Sequence, residues 1–177
     1  MRRIAVYCGS AAGLDPVWAA AADAFGRLLA ARGLELVFGG GHVGLMGRVA
    51  DAVLAAGGRA IGVMPDHLAE REIAHRGLSE FHLVTDLQAR KRTMLELADA
   101  CIALPGGIGT LDEWFDALTQ GCLGLHARPC GLLNIAGYYD PLLAFLDHAT
   151  AIGFVRAHHR AALLADSDAA RLLGLPR

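Results

Sequence analysis

Hydrophobic and polar positions along this chain alternate between two patterns. Short continuous apolar runs, typical of strands buried on both faces of a parallel sheet, are followed by longer stretches in which apolar residues recur at the helical period. The predicted strands cover residues 2–8, 34–38, 60–64, 81–84, 100–104, 130–135 and, as a short final strand, 163–164. The predicted helices cover residues 15–33, 86–99, 110–121, 139–152 and 167–173. A further helix is predicted to follow the first of these, opened by the glycine-rich segment 39–47 and ending near residue 56. This alternation predicts an α/β fold, a Rossmann-like doubly wound parallel sheet flanked by helices and formed by residues 1–177 as a single domain.

Composition and charge narrow the function classes. The chain has 54% hydrophobic residues but only 6% aromatic ones, and its 22 glycines fit an α/β core with many tight turns better than a β-sandwich. The formal net charge of −2 gives no basic face, so no nucleic-acid partner is expected. The apolar run at the N-terminus stops at Gly9, too soon for a signal peptide, and no stretch is long enough to span a membrane. We therefore expect a cytoplasmic protein without a membrane partner.

The cysteines and histidines do not show the spacing of a metal site. The four cysteines form no CxxC pair, and buried free thiols are the expected outcome. The eight histidines are dispersed, and the adjacent pair His158 and His159 cannot face one metal from a helix. The sequence therefore predicts no metal ligands.

The stretch CIALPGGIGTLDE, residues 101–113, is the strongest candidate for a ligand site. An apolar strand stops at a glycine-rich turn and a polar helix start follows. We expect Gly106, Gly107 and Gly109 to adopt positive φ and to approach a ligand closely, with Thr110 as the helix cap. Backbone N–H groups at a helix N-terminus suit a phosphate, which predicts a nucleotide site with Glu113 at its edge.

Glu113 has two interpretations. Thr110-x-x-Glu113 matches a capping box, in which the carboxylate only accepts from the N–H of the cap residue. On a helical wheel, however, Glu113 lies opposite the apolar face formed by Leu111, Phe115 and Leu118, so it must face solvent, a crevice or another subunit. Both interpretations remain open at the level of the sequence.

Two cations of the preceding helix are also candidates. At about 100° per residue, Arg90 and Lys91 fall inside the apolar stripe of residues 86–99, whereas Arg92 points away. Charges on a core-facing stripe are costly unless they are paired. Their expected counter-ion is a carboxylate or a bound phosphate.

A dinucleotide-binding interpretation is also possible. Gly39-x-Gly41-x-x-Gly44 has the spacing of the dinucleotide fingerprint between a strand and a helix. It follows the second strand rather than the first, and the only acidic candidate near the end of the third strand, Asp66, comes after Pro65. A nicotinamide dehydrogenase is therefore disfavoured, although residues 39–41 still have the character of a ligand-facing loop.

With these residues identified, the chain resembles the Lonely Guy family of cytokinin riboside 5′-monophosphate phosphoribohydrolases, which has also been labelled as lysine decarboxylases. The resemblance extends over nearly the whole chain and lies in YCGS at 7–10, GGGxVGLMG at 39–47, RKxxM at 90–94, PGGxGTxxE at 105–113 and GLLNxxGYY at 131–139. It implies a Rossmann-like fold and a homodimer with active sites at the subunit interface. The implied reaction is hydrolysis of the N-glycosidic bond of N6-modified adenosine 5′-monophosphates, without a metal or organic cofactor.

The same resemblance assigns individual roles. It implies Arg90 and Glu113 as the catalytic pair. The implied substrate contacts are Glu72, Lys91, Gly106, Gly107, Ile108, Gly109, Thr110 and Thr119, together with Gly9, Ser10, Gly40, Gly41 and Met46 of the first two motifs. Where family members commonly carry Met-His, this chain has Leu87 and Gln88, which leaves the preferred N6 substituent open.

An alternative of another class is a non-catalytic carrier or sensor of a nucleotide-like cofactor, as in molybdenum-cofactor carrier proteins of similar architecture. The presence of both Arg90 and Glu113 favours the enzyme. A decarboxylase that uses pyridoxal phosphate finds no independent support, because Lys91 is the only lysine of the chain.

Overall fold

Seven parallel strands form one sheet in the computed structural model, which describes residues 1–68 and 74–174. The strands are β1 (Arg3–Tyr7), β2 (Glu35–Phe38), β3 (Ala60–Pro65), β4 (Glu80–Val84), β5 (Ala100–Ala103), β6 (Cys130–Leu133) and β7 (Leu163–Asp166). Their order across the sheet is β4-β3-β2-β1-β5-β6-β7. The predicted α/β architecture is confirmed, including the short final strand.

In the described part of the chain, seven α-helices connect and flank the strands. They are α1 (Pro16–Ala31), α2 (Gly44–Ala55), α3 (Leu87–Leu97), α4 (Ile108–Cys122), α5 (Asp140–Ala151), α6 (Ala157–Ala162) and α7 (Ala169–Leu172). Asp15 caps α1 by accepting from the Val17 N–H at 2.9 Å, and Asp86 caps α3 by accepting from the Ala89 N–H at 2.8 Å. Within the two described ranges, no helix is long and apolar enough to cross a bilayer.

Helix α6 was not predicted, and the predicted bounds of α7 were too wide. The six residues of α6, AHHRAA, contain no large apolar side chain, so they carry no helical hydrophobic period to detect. Helix α7 begins at Ala169, after Asp168, whose carboxylate accepts from the Ala170 and Arg171 N–H groups. Because Asp168 is the cap residue, α7 begins two residues after the predicted residue 167.

Helices cover both faces of the sheet because successive residues of each strand point to opposite sides. In β1, Ile4 and Val6 pack in a cluster with α1, α2 and α7. Ala5 and Tyr7 pack in a second cluster with α3, α4 and α5. Both faces of the central strands are therefore buried, which explains their continuous apolar sequence.

The strand order places a crevice between β1 and β5. The chain builds outward from β1 through β2 and β3 to β4, then returns to the other side of β1 for β5, β6 and β7. The chain therefore continues from the carboxyl ends of β1 and β5 into helices on opposite faces of the sheet, α1 and α4. In sheets of this kind, ligands bind at this point.

At the opposite end of the sheet, Glu35 holds the amino-terminal ends of the central strands together. Its buried carboxylate accepts from Arg2 Nη2 at 2.8 Å and from Arg3 Nε at 2.8 Å, and Arg59 Nε lies 3.5 Å away. The hydrogen bond from Arg3, with that from Arg2, lowers the pKa of the Glu35 carboxyl despite its burial. The folded protein therefore binds the Glu35 proton less readily than the unfolded chain does.

We expect this carboxylate to make stability depend on pH. A lowered carboxyl pKa contributes stability above the ordinary glutamate value of about 4.3, and this contribution is lost as the pH falls below it. Glu35→Gln should cost about 2 kcal/mol of unfolding free energy at pH 7, because hydrogen bonds to a charged group are lost. Urea unfolding of both proteins at pH 7 and at pH 3 measures the loss of unfolding free energy and its dependence on pH.

The control is Glu96→Gln, at an exposed glutamate of α3. It should match the wild-type protein at both pH values. The difference between the wild-type protein and Glu35→Gln should shrink at pH 3, because below the ordinary glutamate pKa the unfolded chain binds a proton that the folded carboxylate resists. An equal difference at both pH values would contradict the assignment.

Candidate active site

Three loops meet at the carboxyl ends of β1 and β5. The Gly9 N–H donates to the Pro105 carbonyl at 3.1 Å, which joins the loops that follow the two strands. The Gly9 carbonyl accepts from the Leu45 N–H at 2.9 Å, which brings the start of α2 to the same place. The YCGS, GGGxVGLMG and PGGxGTxxE motifs therefore lie side by side at the carboxyl ends of β1 and β5.

Helix α4 begins earlier than predicted, and this corrects the interpretation of Thr110 and Glu113. Gly107 is the cap residue and Ile108 the first helical residue, so Thr110 lies inside the first turn and is buried. The capping-box interpretation is therefore wrong, since Thr110 is not the cap from which the motif is counted. The first-turn N–H groups of α4 have no intrahelical acceptor, and a glycine cap offers them no side chain.

The three glycines of the loop serve close approach rather than left-handed backbone, contrary to the prediction. The glycines with positive φ include Gly40 and Gly44 but not Gly106, Gly107 or Gly109. A Cβ on Gly106 would lie 2.7 Å from the Gly9 nitrogen and 2.8 Å from Thr110 Cβ. Among the described residues, no atom lies within 4 Å of a Cβ built on Gly107 or Gly109, so both face open space.

Arg90 and Glu113 face each other in this crevice. Arg90 Nε lies 3.7 Å from Glu113 Oε1, and the two side chains are 6% and 18% exposed. The wheel prediction that Arg90 and Lys91 point inward is confirmed, because both are buried while Arg92 is exposed. Glu113 faces a crevice, which was one of the three environments left open.

Gly39 positions the guanidinium of Arg90. The Gly39 carbonyl accepts from Arg90 Nη2 at 3.1 Å. A Cβ on Gly39 would lie 2.9 Å from Arg90 Cζ and closer still to Nη2. Only glycine at this position leaves room for the observed Arg90 side chain.

Lys91 is paired with two acids of α4. Its Nζ lies 3.2 Å from the Asp112 carboxylate and 3.9 Å from Asp116 Oδ1. Both acids lie beyond the first turn of α4, which starts at Ile108, so they are not placed to complement the helix dipole. They instead neutralise a buried ammonium.

Most of the predicted site residues line one cavity of about 200 Å³. Its walls come from the loop after β1, the start of α2, α3 and the first two turns of α4 with its cap. The lining residues are Cys8, Gly9, Ser10, Met46, Arg90, Gly107, Ile108, Gly109, Thr110 and Glu113. The cavity therefore combines a helix N-terminus, a guanidinium and a carboxylate.

Other predicted residues lie elsewhere. Gly40 and Gly41 do not line this cavity: the Gly40 carbonyl accepts from the His75 N–H at 2.9 Å, and Gly41 forms an isolated bridge with Ala74. Thr119 lies on the outer face of α4, about 9 Å along the helix axis from Glu113 at a rise of about 1.5 Å per residue. Glu72 lies outside the described residues.

A second cavity of about 260 Å³ adjoins the first through Gly9, Ser10 and Gly107, and Gly106 also lines it. It contains Trp18 and Tyr138, which were not assigned to a site from the sequence. The Tyr138 hydroxyl donates to the Gly106 carbonyl at 2.6 Å, so this tyrosine supports the glycine-rich loop. The tandem tyrosines after Gly137 were the available signal, but their pattern equally fits packing.

The cavity thiol is not a nucleophile. Burial raises the pKa of Cys8 far above its ordinary range, and the Glu113 carboxylate raises it further, against the opposing effect of Arg90. All four cysteines lie in the described residues and are free thiols; Cys8, Cys101 and Cys130 are buried, as predicted, while Cys122 is half-buried. The ionisable groups left for chemistry here are Arg90 and Glu113.

Comparison with known proteins identifies the family. A family model described as "Possible lysine decarboxylase" matches residues 46–174. A cytokinin riboside 5′-monophosphate phosphoribohydrolase of Rhodococcoides fascians is 45% identical over 168 residues, which cover 94% of this chain and 85% of the relative. The chain belongs to the Lonely Guy family. A second such member, the phosphoribohydrolase LOG7 of Arabidopsis thaliana, is 44% identical over 97% of this chain and 79% of its own length.

Solved structures with the same fold as this Lonely Guy family member include more distant proteins. A molybdenum cofactor carrier protein of Chlamydomonas reinhardtii superposes with a TM-score of 0.72 at 20% identity, over 98% of this chain and 94% of the carrier. A molybdenum cofactor binding protein of Rippkaea orientalis gives 0.72 at 22% identity, over 98% and 93%. At such identities the likeness shows the fold alone.

Proposed function

We propose that this chain hydrolyses the N-glycosidic bond of adenosine 5′-monophosphates, including N6-modified ones, and releases the free base and ribose 5-phosphate. The observation that carries the proposal is the pairing of Arg90 with Glu113 in a cavity at the N-terminus of α4. The names of relatives about 45% identical over most of the chain support the same reaction.

The phosphate would bind at the start of α4. The first-turn N–H groups and the positive end of the helix dipole favour an anion there. Gly107 and Gly109 present bare backbone to open space, which allows phosphate oxygens to approach closely. Binding energy at this non-reacting group would hold the ribose over the cavity.

Glu113 would act at the anomeric carbon. Cleavage of the C1′–N9 bond leaves the electron pair on the base and passes through a sugar with oxocarbenium character, which a carboxylate stabilises. The same carboxylate can accept a proton from the water whose oxygen forms the new bond to C1′, and the departing base takes a proton from solvent. Glu113 is half-buried and lines the same cavity as Gly107 and Gly109 at the start of α4, which suits this role.

Arg90 would orient Glu113 and contact the substrate. The Gly39 carbonyl fixes one end of its guanidinium, and Glu113 lies near Nε. A guanidinium held in this way presents a planar set of donors to a carboxylate or a phosphate. Lys91, with Asp112 and Asp116, would extend the polar wall of the site.

We also propose that the chain forms a homodimer whose interface includes the outer face of α4. This face carries Ile108, which is 88% exposed, with Leu111, Phe115 and Thr119 beside it around a depression of about 390 Å³. Leu111 and Phe115 are partly exposed, and apolar side chains grouped with exposed surface on one helix face are typical of an interface. A partner would also explain the assignment of Thr119 as a substrate contact, because it lies too far along α4 to reach the cavity of its own chain.

The dimer proposal predicts the effect of a charge on this face. Phe115→Asp should shift sedimentation equilibrium from dimer towards monomer and reduce turnover, because an unpaired carboxylate is costly in an apolar interface. Phe145→Asp makes the same substitution at an exposed phenylalanine of α5, outside this face, and should remain a dimer. A wild-type protein that sediments as a monomer at assay concentration would contradict the proposal.

The carrier alternative predicts binding without chemistry. Incubation of the full chain with AMP or with N6-isopentenyl AMP, followed by chromatography of free base and ribose 5-phosphate, distinguishes the two functions. We expect both products from at least one substrate. Thermal stabilisation by AMP without release of base would instead favour the carrier.

Lysine decarboxylation is the least favoured activity. A pyridoxal phosphate enzyme needs a lysine whose amine can reach the cofactor, and the only lysine of this chain, Lys91, is buried with its Nζ against two carboxylates of α4.

We also propose a cytoplasmic location, which agrees with four free cysteines because reducing compartments keep thiols unpaired.

A further inference from the structure

His42, Asp51 and His75 lie far apart in the sequence but meet beside the β2–α2 loop, residues 39–43. His75 Nε2 lies 2.9 Å from Asp51 Oδ1. The His42 and His75 rings pack edge to face with their centroids 4.9 Å apart. One ligand atom from each of the three side chains lies within 4.8 Å of the other two.

We propose that these three side chains bind one divalent transition-metal ion, with Zn²⁺ as the representative. Two imidazole nitrogens and one carboxylate oxygen suit zinc and its neighbours, whereas Mg²⁺ and Ca²⁺ prefer oxygen ligands alone. His42 and Asp51 are exposed, so the ion can enter from solvent. Three protein ligands leave a further coordination position for water.

His75 is the fixed member of the set. It is buried, and its Nδ1 accepts from the Gly77 N–H at 3.1 Å, which places the ring proton on Nε2 towards Asp51. When Nε2 binds the metal, that proton moves to Nδ1 and the Gly77 amide gives up its bond. The Asp51 carboxylate, which accepts a hydrogen bond from Nε2 without metal, then binds the metal instead.

His42 is the adjustable member. Zinc–nitrogen bonds of about 2.0–2.1 Å require ligand atoms within about 4 Å of each other. His75 Nε2 and Asp51 Oδ1 lie within this limit, but at 2.9 Å they are in hydrogen-bond contact, so the exposed Asp51 and His42 side chains both rotate to admit the ion. Closing the site costs the hydrogen bond from the Gly77 N–H to Nδ1 of the buried His75, whereas the side chains that rotate are both exposed.

The ion would join two segments that the backbone already holds together. The Gly40 carbonyl accepts from the His75 N–H, and Gly41 forms a bridge with Ala74. A metal bound by His42, Asp51 and His75 adds α2 to this junction. Because Gly39 of the same loop positions Arg90, the ion would stabilise the support of Arg90 from outside the cavity. The proposal does not depend on the reaction that the cavity catalyses.

The test is a titration of the chelator-treated protein, prepared without a histidine tag, with Zn²⁺ in an isothermal calorimeter. We expect one ion per chain and a rise in melting temperature at saturation, because the ion binds the folded state. His42→Ala and Asp51→Asn should each weaken binding by about tenfold or more, in line with the usual cost of disturbing a metal site. His148→Ala, at an exposed histidine of α5, is the matched control and should bind as the wild-type protein does.

Cobalt distinguishes this site from the thiols. Co²⁺ bound by nitrogen and oxygen gives visible d–d bands without the near-ultraviolet charge-transfer band of a thiolate ligand. The proposal fails if Zn²⁺ does not bind, if His42→Ala binds it as tightly as the wild-type protein, or if the cobalt spectrum shows thiolate ligation.

Discussion

Glu113→Gln should reduce kcat by about 10²- to 10⁴-fold, the usual contribution of a general acid or base. The amide preserves the shape of the side chain but can neither carry negative charge beside the developing oxocarbenium ion nor accept a proton from water. Affinity for AMP should change little, because the phosphate would bind at the start of α4 rather than at Glu113. Steady-state release of ribose 5-phosphate and thermal shift with AMP separate the two effects.

Glu96→Gln, the same substitution at an exposed position, controls for the change of charge. It should retain wild-type kcat and the wild-type response to AMP. If Glu113→Gln retained full turnover, Glu113 could not be the catalytic carboxylate. If it unfolded at the assay temperature, Glu113→Asp, which keeps the charge but shortens its reach, would replace it and should also lose most of its turnover.

Gly39→Ala should be nearly as damaging as the loss of Arg90 itself. The new Cβ would overlap the guanidinium, so Arg90 must leave its bond to the Gly39 carbonyl and its place near Glu113. A displacement of about 1 Å at a positioning group can cost about 10²-fold in rate. We expect kcat/KM to fall by at least about that factor while the fold is retained.

A methyl group added elsewhere isolates this effect. Gly121→Ala adds the same group inside α4, where the nearest atom is an imidazole carbon of His126 at 3.2 Å, and it should leave kcat/KM unchanged. A crystal structure of Gly39→Ala should show a new Arg90 rotamer. Wild-type kcat/KM in Gly39→Ala would show that the reaction does not require Arg90 in its present position.

The fold could be predicted because each buried strand carries a continuous apolar run. The same logic located Arg90, since a cation inside an apolar stripe must meet a counter-charge, and Glu113 lies opposite it. Local pattern therefore predicts which side chains face inwards, and the order of β1 and β5 then decides where they meet.

The details of the glycine-rich loops could not be predicted because they depend on contacts between distant segments. The local motif favoured Thr110 as a cap, but α4 begins at Ile108. Thr110 packs against Gly106, which in turn lies against Gly9 of a distant segment. The cluster of His42, Asp51 and His75 has the same origin. The spacing of residues within one helix or loop does not predict this cluster, because its three residues come from three separate segments.

The burial of Lys91 has a practical consequence for chemical labelling. Lys91 is the only lysine of the chain, it is nine-tenths buried and its ammonium lies between two carboxylates. Amine-acylating reagents should therefore modify Lys91 slowly while the protein is folded and readily once it unfolds. Because Lys91 lies on α3 and its two carboxylates on α4, its rate of acylation should report how often these two helices separate. A single lysine would then serve as a probe of opening beside the cavity.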